Sequence, residues 1–150
     1  MTPTALSIVE DLHRDKRVIG FTSSAFDLFH AGHVAMLAES RAQCDFLIVG
    51  LLVDPTRDRP DTKKRPVQTV FERWILCQAS EYIDMVIPFE TEQDIIDMLK
   101  IIKPNKRFIG EEYRGTQHTG WNLPSIEIIY NSRSHSFSST ELRDRVTRVK

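Results

Sequence analysis

Residues 46–53, Phe-Leu-Ile-Val-Gly-Leu-Leu-Val (FLIVGLLV), are the most informative segment of this chain for its architecture. Large apolar side chains occupy both odd and even positions, whereas a strand with one face in water alternates apolar and polar residues. A run of this length that is apolar on both faces is typical of a central strand in a parallel sheet. The segment therefore predicts a sheet with helices on both sides.

The remaining elements extend this prediction outward from that strand. Four shorter β-rich segments lie at residues 17–22, 84–88, 106–110 and 126–130. Apolar residues recur at helical spacing in five other segments, at residues 5–13, 33–43, 68–80, 92–103 and 138–146. Because strands that alternate with helices at crossover spacing form parallel sheets, we expect an α/β fold. Its predicted form is a Rossmann-like three-layer sandwich with a mainly parallel five-stranded sheet, and ligands bind such sheets at the carboxyl ends of the strands.

Length and composition limit the classes of protein to consider. The 150 residues suit one domain, with residues 1–16 as an N-terminal helical extension and residues 17–147 as the core. A net charge of −1 argues against a nucleic-acid coat and against a polybasic membrane binder. No apolar run reaches the ~18–20 residues of a membrane span, and no secretory leader pattern opens the chain. We expect a cytoplasmic protein with reduced cysteines and with neither nucleic acid nor membrane as a partner.

The segment that follows the first strand carries the chemistry. The two common phosphate loops, GxxxxGK[ST] and GxGxxG, are missing there, and residues 26–33 read FDLFHAGH instead. A glycine at a helix start lets an anion approach the backbone amides, and the imidazoles of His30 and His33 can donate to phosphate oxygens. A structural histidine pair or a zinc site is the alternative, but no third ligand with zinc spacing accompanies the pair, so no metal ligand is predicted.

FDLFHAGH resembles the HxGH motif of the cytidylyltransferase-like nucleotidyltransferases. Three further segments resemble that family in the same order: TKKRPVQTVFERW at 62–74, FIGEEYRG at 108–115 and SRSHSFSSTELRDRV at 132–146. The similarity is closest to the glycerol-3-phosphate cytidylyltransferases. It implies an enzyme that transfers CMP from CTP to a small phosphate monoester, such as glycerol 3-phosphate, and releases pyrophosphate.

The resemblance also implies site residues and partners. The catalytic residues would be His30, His33, Lys64 and Arg133. The nucleotide-binding residues would be Ala25, Phe26, His30, His33, Lys64, Arg73, Glu112, Arg133, Ser134, Ser138, Ser139 and Thr140. Mg²⁺ would be held mainly through the nucleotide phosphates, because this ion prefers phosphate and water ligands over protein cages. The resemblance further implies a homodimer.

Several of these residues have simpler structural interpretations. Lys64 belongs to a charge run of the kind that usually marks a solvated loop. Arg73, on its helix, could pair with Glu72 or with a neighbouring acid. Glu112 could be a surface acid. Ser138 and the glutamate three residues later have the spacing of a capping box, which fixes a helix start with or without a ligand.

The sequence departs from the family at places that bear on the substrates. Ser24 stands where the family usually has glycine, and His135 and Ser136 replace an acid and a glycine. The segment 88–92 is acidic and offers no lysine for an acceptor phosphate. SFSSTELR also resembles the ISSTxxR stretch of related adenylyltransferases, so ATP is an alternative donor. A non-catalytic nucleotide-binding module is a second alternative, whereas the balanced charge disfavours an RNA-binding domain.

Overall fold

A computed structural model of the chain describes residues 1–132 and 135–149. These described residues form five strands, β1 Ile19–Ser24, β2 Phe46–Leu52, β3 Met85–Phe89, β4 Lys106–Gly110 and β5 Glu127–Asn131. The same residues form five α-helices, α1 Pro3–Arg14, α2 Ala31–Arg41, α3 Val70–Gln78, α4 Glu92–Ile102 and α5 Ser139–Arg148, together with a 3-10 turn at Glu111–Tyr113. Among these described helices, none is both long and apolar enough to cross a lipid bilayer.

The strands form one sheet in the order β3-β2-β1-β4-β5, and every neighbouring pair is parallel. This confirms the predicted Rossmann-like sandwich. The chain moves outward from β1 through β2 to β3, and it then crosses back to β4 on the other side of β1. The order of the strands therefore reverses between β1 and β4, which is where open α/β sheets leave a crevice at their carboxyl ends.

The core consists of two apolar clusters, one on each face of the sheet. Ile48 of β2 points into the cluster that α1 and α4 cover, whereas Leu47 and Val49 point into the cluster that α2 and α3 cover. All three side chains are fully buried, which explains why residues 46–53 are apolar at every position. Val9 of α1 is also buried in the first cluster, so the predicted N-terminal extension packs on the core.

The polar residues just before β3 and β4 accept hydrogen bonds from backbone amides near the starts of the neighbouring strands. Asp84 accepts a hydrogen bond from the Leu47 amide at 2.8 Å, and Asn105 accepts one from the Ile19 amide at 2.7 Å. The same Asp84 carboxylate pairs with Arg41 at 2.9 Å. Each of these amides precedes the first paired residue of its strand with that neighbour. The side-chain bond therefore satisfies an amide that the strand pairing does not, and it fixes the register of the two strands.

Replacing Asp84 with alanine is expected to lower the free energy of unfolding by about 1–3 kcal/mol, because it leaves the amide of buried Leu47 without an acceptor. Urea unfolding followed by circular dichroism measures this change. Asp84→Asn retains an acceptor oxygen and should lose less stability. Asp61→Ala, in an exposed loop, is the matched control and should unfold with the wild type. A midpoint for Asp84→Ala equal to that of wild type would contradict this account of the strand start.

Candidate functional site

A cleft opens at the carboxyl ends of β1 and β4, where the strand order reverses. It comprises two adjoining cavities of about 950 and 650 Å³. Both are bordered by His33, Lys63, Glu92 and the start of α5 at residues 138–140. The structure therefore brings the HAGH motif, the lysine loop and the last helix to one place, although they are far apart in the sequence.

His30 and His33 cap the start of α2 with their own side chains. The Gly32 amide donates to His30 Nδ1 at 3.0 Å, and the His30 amide donates to His33 Nδ1 at 3.2 Å. The two rings are stacked with their centroids 3.9 Å apart. Because each Nδ1 accepts a backbone hydrogen bond, the neutral form of each ring carries its proton on Nε2. The helix cap thus selects the tautomer that presents an Nε2–H donor.

The start of α5 lies against His30. His30 Nε2 is 3.0 Å from Ser139 Oγ, and the Ser139 hydroxyl is 3.4 Å from the Asp27 carbonyl. Ser138 accepts from the Glu141 amide at 3.1 Å and so caps the helix, as its spacing in the sequence predicts. Two helix N-termini with partial positive charge consequently border the same cleft, an arrangement suited to an anion.

The loop between β1 and α2 holds an unusual backbone conformation. Phe26 has φ 49° and Leu28 has φ 50°, both in the left-handed region that non-glycine residues avoid at a cost of about 1 kcal/mol or more. Packing maintains it, because the Phe26 ring is fully buried with its centroid 5.2 Å from that of His33. Ser24, which stands in place of the family's glycine, borders both cavities.

Asp27, which the sequence analysis did not single out, connects three segments around the cleft. Its carboxylate is 6% exposed and accepts from the amides of Val67 at 2.9 Å and Gln68 at 3.0 Å. It also pairs with Arg143 of α5. Burial by itself raises the pKa of Asp27, but the two amide bonds and the Arg143 guanidinium hold it below its usual value. An acid inside the motif FDLFHAGH was the sequence signal for this residue.

Arg73 lies beneath the cleft. It is 2% exposed, and its guanidinium donates to the carbonyls of Ala25 at 2.9 Å, Leu52 at 2.6 Å, Val53 at 2.6 Å and Gln68 at 3.2 Å. These carbonyls belong to the loops that leave β1 and β2 and to the loop before α3. The side chain therefore holds three loops in place.

This placement corrects two expectations about Arg73. The residue was predicted to bind nucleotide, yet its side chain borders neither cavity, because all its contacts lie within the protein interior. The alternative pairing with Glu72 is not formed either, because that carboxylate accepts from the Thr69 amide at 2.7 Å and caps α3. Arg73 is a positioning residue for the cleft.

The other predicted site residues are distributed as follows. Ala25, Phe26 and Lys64 border the larger cavity. Glu112 borders the smaller one, where its carboxylate lies over Gly110 and occupies the space that a Cβ there would need. Arg133 and Ser134 lie outside the described residues.

Two cations that the sequence analysis missed also border the cleft. Arg59 lines both cavities, and Arg107 of β4 lines the smaller one. Arg107 is 4% exposed, and burial lowers its pKa to about 10, against the opposing effect of Glu92. An arginine within the strand segment KRFIG was the only sequence signal. Within residues 1–132 and 135–149, no group of three or more His, Cys, Asp and Glu side chains is arranged to hold a metal ion.

Replacing Asp27 with asparagine is expected to lower the free energy of unfolding by about 1.5–3 kcal/mol at neutral pH, because a buried charged acceptor with three donors is lost. Since the pKa of Asp27 is lowered in the folded protein, this stabilisation is complete above its usual value of 3.8 and is lost as the pH falls further. Urea unfolding at a series of pH values measures both effects.

The exposed Asp61→Asn serves as the control for Asp27→Asn and should match wild type at every pH. Equal stability of Asp27→Asn and wild type at pH 7 would contradict the assigned contacts. A stability difference that grew as the pH fell below 3.8 would contradict the direction of the pKa change.

Comparison with known proteins identifies relatives of this chain. It is 35% identical over 130 residues to the bifunctional protein HldE of Nitrobacter hamburgensis, a match that covers 85% of this chain and 26% of the relative. The HldE protein of Nitrobacter winogradskyi is 37% identical over 130 residues, with the same coverage. The chain thus spans about a quarter of the length of these curated relatives.

Solved structures share the fold at lower identity. A lipopolysaccharide core biosynthesis protein from Thermoplasma volcanium superposes with a TM-score of 0.56 at 20% identity, covering 88% of each chain. Pantoate-beta-alanine ligase from Francisella tularensis superposes with a TM-score of 0.54 at 16% identity, covering 96% of this chain and 76% of its own. A family model described as cytidylyltransferase-like matches residues 21–145, from β1 into α5. Because that match covers most of the chain and includes the HAGH motif, the lysine loop and the start of α5, the chain belongs to the cytidylyltransferase-like family of nucleotidyltransferases.

Proposed function

We propose that the chain transfers a nucleotidyl group from a nucleoside triphosphate to a small phosphate monoester and releases pyrophosphate. The observation that carries this proposal is the pair of backbone bonds that make both Nδ1 atoms of His30 and His33 acceptors. Each imidazole then carries an Nε2–H at a helix start that borders a cleft, and that of His30 lies 3.0 Å from Ser139 Oγ at the start of α5. The predicted homodimer and the single-domain assignment remain predictions.

In the proposed reaction, an oxygen of the acceptor phosphate attacks the α-phosphorus in line. The new P–O bond forms as the bond to the bridging oxygen breaks, and pyrophosphate leaves with that electron pair. Such a displacement needs positioning and charge neutralisation rather than a protein nucleophile. The Nε2–H groups of His30 and His33 would stabilise the α-phosphoryl oxygens, and the first amides of α5 would receive the pyrophosphate portion.

The lysine loop would supply further positive charge. Lys63 and Lys64 both border the larger cavity, and Lys63 also borders the smaller one. As a third element, Ser139 already contacts His30 and so could share a phosphate oxygen with it. Mg²⁺ would enter with the triphosphate and neutralise part of its charge, since phosphate oxygens and water are its preferred ligands.

We propose ATP as the donor and a phosphorylated sugar or polyol as the acceptor. The segment SSTELR at 138–143, which resembles adenylyltransferases, supplies Ser139 to His30 and Arg143 to Asp27. His135 and Ser136 depart from the pattern of the cytidylyltransferases just before it. CTP with glycerol 3-phosphate is the second candidate; the family description, cytidylyltransferase-like, supports its nucleotide only.

Thermal unfolding with Mg²⁺ and ATP is expected to raise the Tm by roughly 5–10 °C. Ligand at a hundred times its Kd adds about 2.7 kcal/mol, and a domain of this size shifts roughly 2–4 °C per kcal/mol. GTP and UTP are the controls and should give smaller shifts. A shift with CTP alone would replace ATP by CTP in the proposal, and no shift with any nucleotide would contradict it.

His33→Ala is expected to reduce kcat on the order of 100-fold or more while changing KM much less, because the lost donor acts on charge that develops during attack. The assay measures pyrophosphate release with ATP or CTP and a panel of sugar and polyol phosphates. His13→Ala is the matched control, because His13 bonds the Ile102 carbonyl on α4, away from the cleft. A decrease in kcat of less than threefold would contradict the catalytic role of His33. If the chain binds nucleotide but releases no pyrophosphate with any acceptor in the panel, a non-catalytic nucleotide-binding module is favoured instead.

A further inference from the structure

A chain of polar contacts runs along the wall of the smaller cavity. Arg59 Nη2 lies 3.1 Å from Glu92 Oε1, and the Thr119 hydroxyl bonds to Oε2 of the same carboxylate. The Thr119 carbonyl in turn accepts from Arg107 Nη1. These residues come from the loop after β2, the first turn of α4, β4 and the loop after β4. With His118, which borders the same cavity, we refer to them as the Arg107 subsite.

The subsite has two guanidinium groups and one carboxylate, and of the two cations Arg107 is the buried one. Arg107 is 4% exposed, and its hydrogen bond goes to a neutral carbonyl. Glu92 is the carboxylate that acts on it, but that carboxylate is already paired with Arg59. One negative charge is therefore shared by two guanidinium groups. The other acid on this cavity wall, Glu112, is exposed, so water screens it.

Two nitrogen atoms of the subsite also lack a hydrogen-bond partner. Among the described residues, Arg59 Nε and His118 Nδ1 are enclosed and bond to no other group. Burial, with a smaller effect from Arg107, lowers the pKa of His118, against the opposing effect of a hydrogen bond to the Thr119 backbone. The Nε–H of Arg59 is a donor, and an enclosed donor without an acceptor is rare in folded proteins, so a ligand with acceptor oxygens would satisfy it.

We infer that the Arg107 subsite binds the phosphate group of the acceptor substrate, an inference that rests on the proposed nucleotidyl transfer. Two guanidinium groups present donors in forks that match phosphate oxygens, and a dianionic monoester has three such oxygens to offer. The proposed function assigns the nucleotide phosphates to other donors, the Nε2–H groups of His30 and His33, whose Nδ1 atoms are used by the cap of α2. The subsite borders the cavity that also contains His33 and Lys63, so the bound phosphate lies beside the groups assigned to the α-phosphate.

The two arginines supply the positive charge for an acceptor phosphate that the neighbouring segment 88–92 lacks. The segment 88–92 is acidic and has no lysine to receive an acceptor phosphate. In the structure, the cations reach that region from β4 and from the loop after β2; Glu92 pairs with Arg59 and bonds to Thr119, whose carbonyl accepts from Arg107. Bringing a dianion against a triphosphate is opposed by charge repulsion, and a buried cation next to the attack site reduces that repulsion.

The test uses the wild-type chain, Arg107→Met, Arg59→Met and the control Arg17→Met, which removes one positive charge beside Asp45 at the amino ends of β1 and β2, opposite the cleft. Inorganic phosphate is titrated by ³¹P NMR, with the nucleotide site saturated by the α,β-methylene analogue of ATP or CTP. We expect Arg107→Met and Arg59→Met to weaken phosphate binding about tenfold or more, as the loss of a charged hydrogen bond predicts. Arg17→Met should stay within twofold of wild type, and the Kd of the analogue should change less than threefold in every variant.

Unchanged phosphate affinity in both Arg107→Met and Arg59→Met would overturn the inference, as would a wild type that does not bind phosphate. If Arg107→Met does not fold, Arg59→Met decides, because Arg59 is partly exposed and its replacement leaves the core intact. A purely structural Arg107 would lower the Tm and leave phosphate affinity unchanged. If the analogue does not bind wild type, the proposed function fails, and titration of phosphate without nucleotide still reports on the subsite.

Discussion

The guanidinium of Arg73 is the interaction on which the cleft depends. At 2% exposure it donates to four carbonyls, which belong to the loops leaving β1 and β2 and to the loop before α3. Parallel strands end with carbonyl groups that no further rung of the ladder receives, and one planar cation satisfies several of them at once. The Asp27 carboxylate connects further segments to this base. It accepts hydrogen bonds from the amides of Val67 and Gln68, just before α3, and it pairs with Arg143 of α5.

On this base, the HAGH motif serves structure and chemistry through the same bonds. A serine or threonine at the cap of α2 would satisfy the helix amides equally well. The imidazoles of His30 and His33 accept these amide bonds through Nδ1 and carry a donor, Nε2–H, on the other side of the ring. A hydroxyl cap has no second nitrogen to serve as such a donor. The left-handed backbone at Phe26 and Leu28 is maintained by packing, and it places the start of α2 beside the start of α5. Strain of this kind is typical of sites whose geometry matters for function.

Much of the fold was predictable because it follows from local patterns. The apolar run at 46–53 and the helical spacing around it predict five strands and the helices between them, and the structure has each of them within a few residues. The position of His30 and His33 at a helix start was predictable for the same reason. By contrast, the same resemblance that indicated these histidines assigned Arg73 to the nucleotide, whereas its side chain lies in the interior. Resemblance gives a position in the chain, and the direction of a side chain depends on what the neighbouring loops present to it.

The sequence by itself determined the class of fold, the parallel sheet, the location of the histidine motif and the family, because each of these is expressed in residues close together in the chain. Only the tertiary structure decided which charges meet. Asp27 and Arg143 are 116 residues apart, and Arg59 is separated in the chain from its partner Glu92 by α3 and β3. The partner of a buried charge is set by strand order and loop packing rather than by spacing. For this reason, the acidic segment 88–92 did not predict the two cations of the Arg107 subsite, Arg59 and Arg107, beside it.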